Sequence, residues 1–160
     1  MTHVLVWYEN RPLPEAAEAE HATYPEGIHG ALMALFNEQD NLEARAATMA
    51  DASQGLSDEA LAWADVLVYF GHKHWREIED DRVDAAQRRV LDGMGLVLLH
   101  SSHASKLFSR LMGTRTQCLR WREGRYTSAQ RAAGASAPDS DGEWQRVWLV
   151  APGHPIAEGL

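Results

Sequence analysis

The side chains best suited to chemistry form a polar cluster directly after a short apolar run. The run covers residues 95–99, and His100, Ser101, Ser102 and His103 follow it. An apolar run this short, between a glycine and polar residues, is typical of a strand buried on both faces of a sheet. The cluster would then lie at the carboxyl end of the strand, where ligands bind in open α/β sheets.

A third histidine, His72, follows a second apolar run and is expected to lie beside the first cluster. Neutral imidazoles at one edge of a sheet could bind Zn²⁺ or another divalent metal. They could instead move a proton on a sugar hydroxyl or on a carbon next to a carbonyl, because histidine titrates near neutral pH. We therefore predict His72, His100 and His103 as catalytic residues, and as the ligands if a metal binds. A purely structural role for each histidine is the competing interpretation.

A serine nucleophile is not favoured at this cluster. A serine after a buried strand resembles a nucleophile elbow, but no Gly-x-Ser-x-Gly motif surrounds Ser101 or Ser102. The backbone N–H groups of residues 102–105 would open the next helix and could hold an anion or an oxyanion. Cys118 lies beyond that helix and is interpreted as a small buried or interfacial thiol.

Composition and charge narrow the functional classes. The 160-residue chain has a formal net charge of -8 and no basic run, which disfavours binding to nucleic acid or to an anionic membrane. A single cysteine gives no disulfide framework, so the cytoplasm is the expected location. The sequence has no signal peptide and no apolar segment approaching the roughly 20 residues of a membrane span. We expect one domain over residues 1–160.

Apolar runs that alternate with helical patterns would place the candidate residues. Short runs of β-forming residues predict strands at 3–8, 42–49, 66–70 and 95–99, with further strands at 118–122 and 146–150. Helices begin where proline, serine or acidic residues suit a helix start, and glycine ends the last of them. They are predicted as a short turn at 15–20, then from Pro25 to Phe36, Ser57 to Trp63, 80 to 91, and 105 to 112 before Gly113. Three arginines of the 80–91 helix are expected on a solvated face: Arg82, Arg88 and Arg89.

Alternation of this kind predicts a mostly parallel sheet with helices on both faces. A flavodoxin-like strand order is expected, which makes the first, third and fourth strands neighbours. Their carboxyl ends carry Glu9, Asn10 and Arg11, then His72, then His100. Three strands would thus bring polar side chains to one crevice.

At these residues the chain resembles the trehalose-utilisation ThuA family. The matching stretches occur in family order and cover nearly the whole chain, so together they are more specific than any single motif. They are Tyr24-Pro25-Glu26-Gly27-Ile28-His29, Gly71-His72, His100-Ser101-x-His103-x-Ser105-Lys106, Leu111-Met112-Gly113-Thr114, Trp121-Arg122-Glu123 and Pro152-Gly153-His154-Pro155-Ile156.

The resemblance implies a flavodoxin-like three-layer α/β sandwich with a mostly parallel sheet, similar to class I glutamine amidotransferases. It also implies a bacterial role in the use of trehalose or related disaccharides, with a partner dehydrogenase that makes 3-keto sugars. The nucleophilic cysteine of the amidotransferases would stand at the elbow, where this chain has His100, Ser101 and Ser102. Glutamine amidotransferase activity is therefore not expected.

Three departures from the family pattern stand out. Ser102 and Ala104 replace the glycine and tyrosine of the family's His-Ser-Gly-His-Tyr-Ser-Lys run. Residues 124–141, rich in Gly, Ala, Ser and Arg, are predicted to be a flexible insertion. The chain ends at Leu160, where family members continue with further strands and a Gly-His-Glu segment, so we expect a C-terminally truncated domain.

Two functional hypotheses follow. The first is a protein of disaccharide catabolism that acts on a disaccharide or its 3-keto derivative at the histidine-rich edge, with a divalent metal such as Zn²⁺ as an optional cofactor. The second is a non-catalytic sugar-binding protein or an accessory subunit of a sugar dehydrogenase. Self-association into a homo-oligomer stays open. Besides the three histidines, the residues expected to contact the sugar are Arg11, Glu26, His29, Ser101 and Lys106.

Overall fold

Four parallel strands form the sheet of the computed structural model, which describes residues 1–11, 14–113 and 155. The strands are β1 (Thr2–Tyr8), β2 (Leu42–Thr48), β3 (Val66–Phe70) and β4 (Gly95–Leu98). Their order in the sheet is β2-β1-β3-β4. The predicted flavodoxin-like order, with β1, β3 and β4 as neighbours, is confirmed.

In the described residues, α-helices alternate with these strands. They are α1 (Pro14–Thr23), α2 (Gly27–Asn37), α3 (Asp58–Trp63), α4 (Asp80–Leu91) and α5 (Lys106–Met112), with 3₁₀ turns at Ala52–Gly55, Trp75–Glu77 and His100–Ala104. The helix α1 is longer than the short turn predicted at residues 15–20.

Serine side chains cap the starts of α3 and α5, and the cap at Ser57 was predicted from the sequence. The Ser57 hydroxyl accepts a hydrogen bond from the Ala60 N–H at 3.1 Å at the start of α3. The Ser105 hydroxyl accepts one from the Phe108 N–H at 3.1 Å at the start of α5. Each cap satisfies one of the N–H groups that a helix start leaves without a partner. Gly113, with a left-handed φ of 65°, ends α5 as predicted.

Helices cover both faces of the sheet. Successive residues of a strand point to opposite faces, so each strand contributes side chains to both cores. Leu5, Trp7 and Tyr69 belong to a core cluster that includes residues of α3, α4 and α5. Val4 and Val6 belong to a second cluster, against which α2 packs. Burial on both faces explains why β1 and β3 are continuous apolar runs. The polar residues that follow these strands are consequently concentrated at the carboxyl edge.

One strand is less buried than predicted. Within the described residues β4 pairs with β3 alone, and the Val97 side chain is 46% exposed. The prediction of a strand buried on both faces is therefore wrong for β4. A short apolar run has the same pattern in a central strand and in a strand with one open side, so periodicity does not separate the two.

The arginines of α4 also differ from prediction. The Arg82 guanidinium, with its side chain 17% exposed, donates to the Leu56 carbonyl and to Asp58. Arg89 donates to the carbonyls of Leu61 and Ala64. These two arginines connect α4 to the segment that contains α3, and the solvated face predicted for them is wrong.

Several predicted features fall on residues outside the described ranges. The strands at 118–122 and 146–150, the insertion at 124–141, Cys118 and the 152–156 stretch, apart from Pro155, lie outside the described residues. Across the part of the chain that is described, no helix combines the length and the apolar character needed to cross a membrane.

Candidate functional site

Ser101 joins two of the predicted catalytic histidines, His72 after β3 and His100 after β4. The His72 Nδ1 lies 2.6 Å from the Ser101 Oγ, and the His100 Nδ1 lies 2.7 Å from the same oxygen. The two ring centroids are 6.0 Å apart, and both histidines are exposed. The predicted proximity of the two histidines is therefore observed, while their catalytic role stays a prediction.

A single hydroxyl between two imidazoles constrains where their protons lie. Ser101 has one proton to donate, so when it donates to Nδ1 of one ring it accepts from the N–H at Nδ1 of the other. With both rings neutral, one ring carries its proton on Nδ1 and the other carries it on Nε2. At Nε2 the first ring is then a proton acceptor and the second a proton donor. A base and an acid side by side are what a proton transfer between neighbouring atoms requires.

His103 lies next to this pair but bonds to the backbone. Its Nδ1 is 3.0 Å from the His100 carbonyl oxygen, so Nδ1 carries the proton and donates. Among the described residues, no three His, Cys, Asp or Glu side chains are grouped so that they could hold a metal ion. Metal binding by His72, His100 and His103 stays a prediction.

The backbone is strained where two strands end at this edge. His100 has a φ of 46° and Asn10, two residues after β1, has a φ of 47°. Left-handed values are uncommon outside glycine, although Asn and His adopt them more readily than most residues. Such residues cost on the order of 1–3 kcal/mol each and cluster at functional sites. The left-handed conformation changes the direction of the chain at Asn10 and at His100.

Glu9 is a buried carboxyl group at the end of β1, with only 1% of the residue exposed. Its oxygens accept the Lys73 N–H at 2.9 and 3.2 Å and the His74 N–H at 3.0 Å. These contacts fix the backbone that follows His72. Burial of the Tyr69 side chain is the main cause that raises its pKa far above the ordinary value, and the negative charge of Glu9 is the second cause. The Tyr69 phenol therefore stays neutral.

An exposed ion-pair network lies beside the same loop. The Glu77 carboxylate accepts from Arg11 at 2.6 Å and contacts the His74 Nδ1 at 2.7 Å. The hydrogen bond from His74 and then the charges of His74 and Arg11 lower the pKa of Glu77. Arg11 thus has a protein partner in this structure, and its predicted contact with a sugar stays a prediction.

A polar pocket of about 300 Å³ is lined by both Glu26 and His29. The predicted contact of these two residues with a sugar stays a prediction. Asn10, His21 and Tyr24 line it as well. Asn10 was expected at this edge of the sheet, whereas His21 was not predicted to belong to a site. The remaining lining residues are Ala17, Pro25 and Gly27.

Aromatic rings connect this pocket to the histidine pair. The His29 ring centroid is 5.7 Å from that of Tyr8, and Tyr8 stacks on Phe70 at 5.1 Å. The rings of Phe70 and His100 are perpendicular, with their centroids 6.2 Å apart. The pocket and the histidine pair therefore lie along one edge of the sheet, joined by a row of packed rings.

Lys106 points to a different part of the structure. Its ammonium donates to the Ile78 carbonyl at 2.7 Å and to Asp80 at 3.0 Å, which links α5 to the start of α4. The hydrogen bond and the charge of Lys106 lower the pKa of Asp80. These contacts do not bring Lys106 to the other predicted sugar-binding residues, and that role stays a prediction.

The family model of ThuA, described as trehalose utilisation, matches residues 3–160. The chain belongs to the ThuA family. Family membership gives it a general role in trehalose utilisation and a fold of the flavodoxin and glutamine amidotransferase type, as predicted. No curated protein matches the chain.

Ser102 stands at a position where the ThuA family pattern has glycine. Its hydroxyl makes hydrogen bonds to the end of β3. The side chain is fully buried; its Oγ accepts the Gly71 N–H at 2.8 Å and donates to the Tyr69 carbonyl at 3.0 Å. The Ser102 side chain therefore connects the end of β3 to the turn that carries His100. It also fixes the backbone immediately before His72.

The main residue whose role sequence reasoning missed is Glu9. A signal was present: an acidic residue follows a buried strand directly, and a buried carboxyl group needs hydrogen-bond donors nearby. The donors come from Lys73 and His74, more than 60 positions along the chain. Only the parallel pairing of β1 and β3 shows that the two segments meet.

Proposed function

We propose that this ThuA-family protein moves a proton on a disaccharide or on its 3-keto derivative, using His72 and His100 as base and acid. The observation that carries the proposal is the Ser101 hydroxyl between the two Nδ1 atoms. Family membership supplies the general setting of trehalose utilisation. A partner oxidoreductase would supply the 3-keto sugar.

A hydrogen on a carbon next to a carbonyl is the most acidic C–H of such a sugar. A base removes this proton while an acid donates a proton to the carbonyl oxygen, which gives an enediol without any change in the total number of protons. One ring of the pair would act at the carbon and the other at the oxygen. Ser101 supports the exchange of roles because its hydroxyl can reverse its direction between the two rings.

Deuterium uptake tests this proposal. The full chain is incubated with 3-keto-trehalose in D₂O, and loss of the signals of the hydrogens next to the carbonyl is followed by proton NMR. The wild type should accelerate the exchange, and His72→Asn and His100→Asn should each lose at least tenfold of that acceleration. Asparagine is chosen at position 100 because it tolerates the positive φ.

His3→Gln is the matched control, because His3 lies at the amino end of β1, at the opposite edge of the sheet. It should exchange deuterium like the wild type. Equal rates for the wild type and both asparagine variants would refute the proposed proton transfer.

A metal held by His72, His100 and His103 is the alternative chemistry at the same place. Elemental analysis of the full chain, followed by the exchange assay after chelation, separates the two. Exchange that survives chelation supports direct acid–base catalysis. Exchange that is lost and then restored by Zn²⁺ supports the metal. Sugar binding without exchange, together with co-purification of an oxidoreductase, would instead support the accessory-subunit hypothesis.

A further inference from the structure

The pocket beside α2 has the size and the chemistry of a site for one sugar ring. Its volume of about 300 Å³ lies at the lower end of the range of about 300–1,000 Å³ that is usual for small-molecule sites. Asn10, Glu26 and His21 bring amide, carboxylate and imidazole groups, which together donate and accept hydrogen bonds as sugar hydroxyls require. Tyr24, 41% exposed, adds an aromatic face suited to the C–H face of a sugar.

Two glycines set the side chains on one wall of this pocket. Gly27 has a φ of 73°, and a Cβ there would lie 2.5 Å from the Cε1 of His29. A Cβ on Gly30 would lie 2.7 Å from the Cβ of Glu26. Both distances are shorter than real Cβ contacts, so His29 and Glu26 hold these positions only because residues 27 and 30 are glycines. The Glu26 carboxylate makes no capping hydrogen bond to α2.

The position of the pocket along the carboxyl edge of the sheet indicates which part of a ligand would bind in it. The packed rings of Tyr8 and Phe70 lie between His29 in the pocket wall and His100. A ring inside the pocket therefore lies beside the histidine pair and not on it. The ring-to-ring steps from His29 to His100 are 5.7, 5.1 and 6.2 Å, so a ligand that contacts both places must extend beyond a single sugar ring.

We propose that this pocket binds the non-reacting ring of a disaccharide, while the other ring lies at His72 and His100. Only the placement of the other ring at His72 and His100 rests on the proposed function. Binding energy from a remote ring can be used to orient the reacting one, so the pocket would determine the preference for disaccharides over monosaccharides.

Calorimetry of the full chain with trehalose and with glucose tests the pocket directly. Tyr24→Ala and Glu26→Gln should each weaken trehalose binding at least tenfold, and should weaken glucose binding as well. Glu38→Gln is the matched control, because Glu38 caps the opposite end of α2 and is exposed. It should bind both sugars like the wild type. Thermal unfolding of each variant verifies that it is folded, and Tyr24→Phe, which keeps the ring, should retain most of the affinity.

Wild-type affinity in both Tyr24→Ala and Glu26→Gln would overturn the inference, as would a wild type that binds neither sugar. The result separates this inference from the proposed function. If His100→Asn loses deuterium exchange but binds glucose within twofold of the wild type, both proposals hold. If the wild type binds trehalose through the pocket but exchanges no deuterium, the subsite stands and the proton transfer fails.

Discussion

Replacement of Glu9 tests how the loop after His72 is held. In Glu9→Ala the N–H groups of Lys73 and His74 lose their acceptor. A buried donor left without a partner costs about 1–3 kcal/mol, so two such groups set a range of about 2–6 kcal/mol. We expect the lower half of this range, because the loop is near the surface and water can replace part of the lost bonding.

Glu9→Gln keeps one oxygen but places an NH₂ group against a backbone donor. It should cost less than the alanine variant, about 1–2 kcal/mol. Both losses are a large part of the about 5–15 kcal/mol that stabilises an ordinary domain.

Urea unfolding followed by tryptophan fluorescence measures both effects, since Trp7 is buried and stacked on Tyr69. The exposed Glu38→Gln serves as the control for loss of a carboxylate and should unfold like the wild type. A free energy of unfolding for Glu9→Ala within about 0.5 kcal/mol of the wild type, the range of ordinary surface changes, would refute this account of Glu9.

Three further predictions follow from the described contacts. Gly27→Ala should lower the free energy of unfolding by about 1–2 kcal/mol because of its positive φ, and should shift the NMR signals of the His29 ring that it displaces; unchanged signals would contradict the crowding. Ser102→Ala leaves a buried N–H without an acceptor and should cost about 1–3 kcal/mol in urea unfolding, whereas a neutral result would show that its hydrogen bonds are dispensable. The pKa of Asp80 is lowered below 3.8 by Lys106, so their pairing contributes stability above that pH and loses it as the pH falls through the folded value. Lys106→Met should therefore flatten the pH dependence of stability below about pH 4, and an unchanged profile would contradict the pairing.

The sequence was sufficient for the features that depend on local pattern. The strand order and the Ser57 cap followed from apolar runs and helix-start residues, and the convergence of His72 and His100 followed from the parallel alternation. These features could be predicted because each is determined within a few residues of the chain, or by a connection rule that holds for parallel sheets in general.

Features that depend on distant pairing could not be predicted in this way. The direction of an arginine side chain depends on which carbonyl groups are nearby, and for Arg82 and Arg89 these belong to the segment around α3. The exposure of Val97 in β4 depends on what packs beside the strand and not on the apolar residues of the strand itself. The role of Ser101 likewise required the distance between two strand ends, which no spacing in the sequence contains.

A double-variant comparison tests the central claim most directly, namely that His72 and His100 act as one unit through Ser101. Deuterium exchange into 3-keto-trehalose is measured for His72→Asn, His100→Asn and the combined variant. Residues that act as a unit have non-additive effects, so the combined variant should exchange no more slowly than the slower single variant. A combined loss equal to the product of the two single losses would show that the histidines act independently, and would contradict the account.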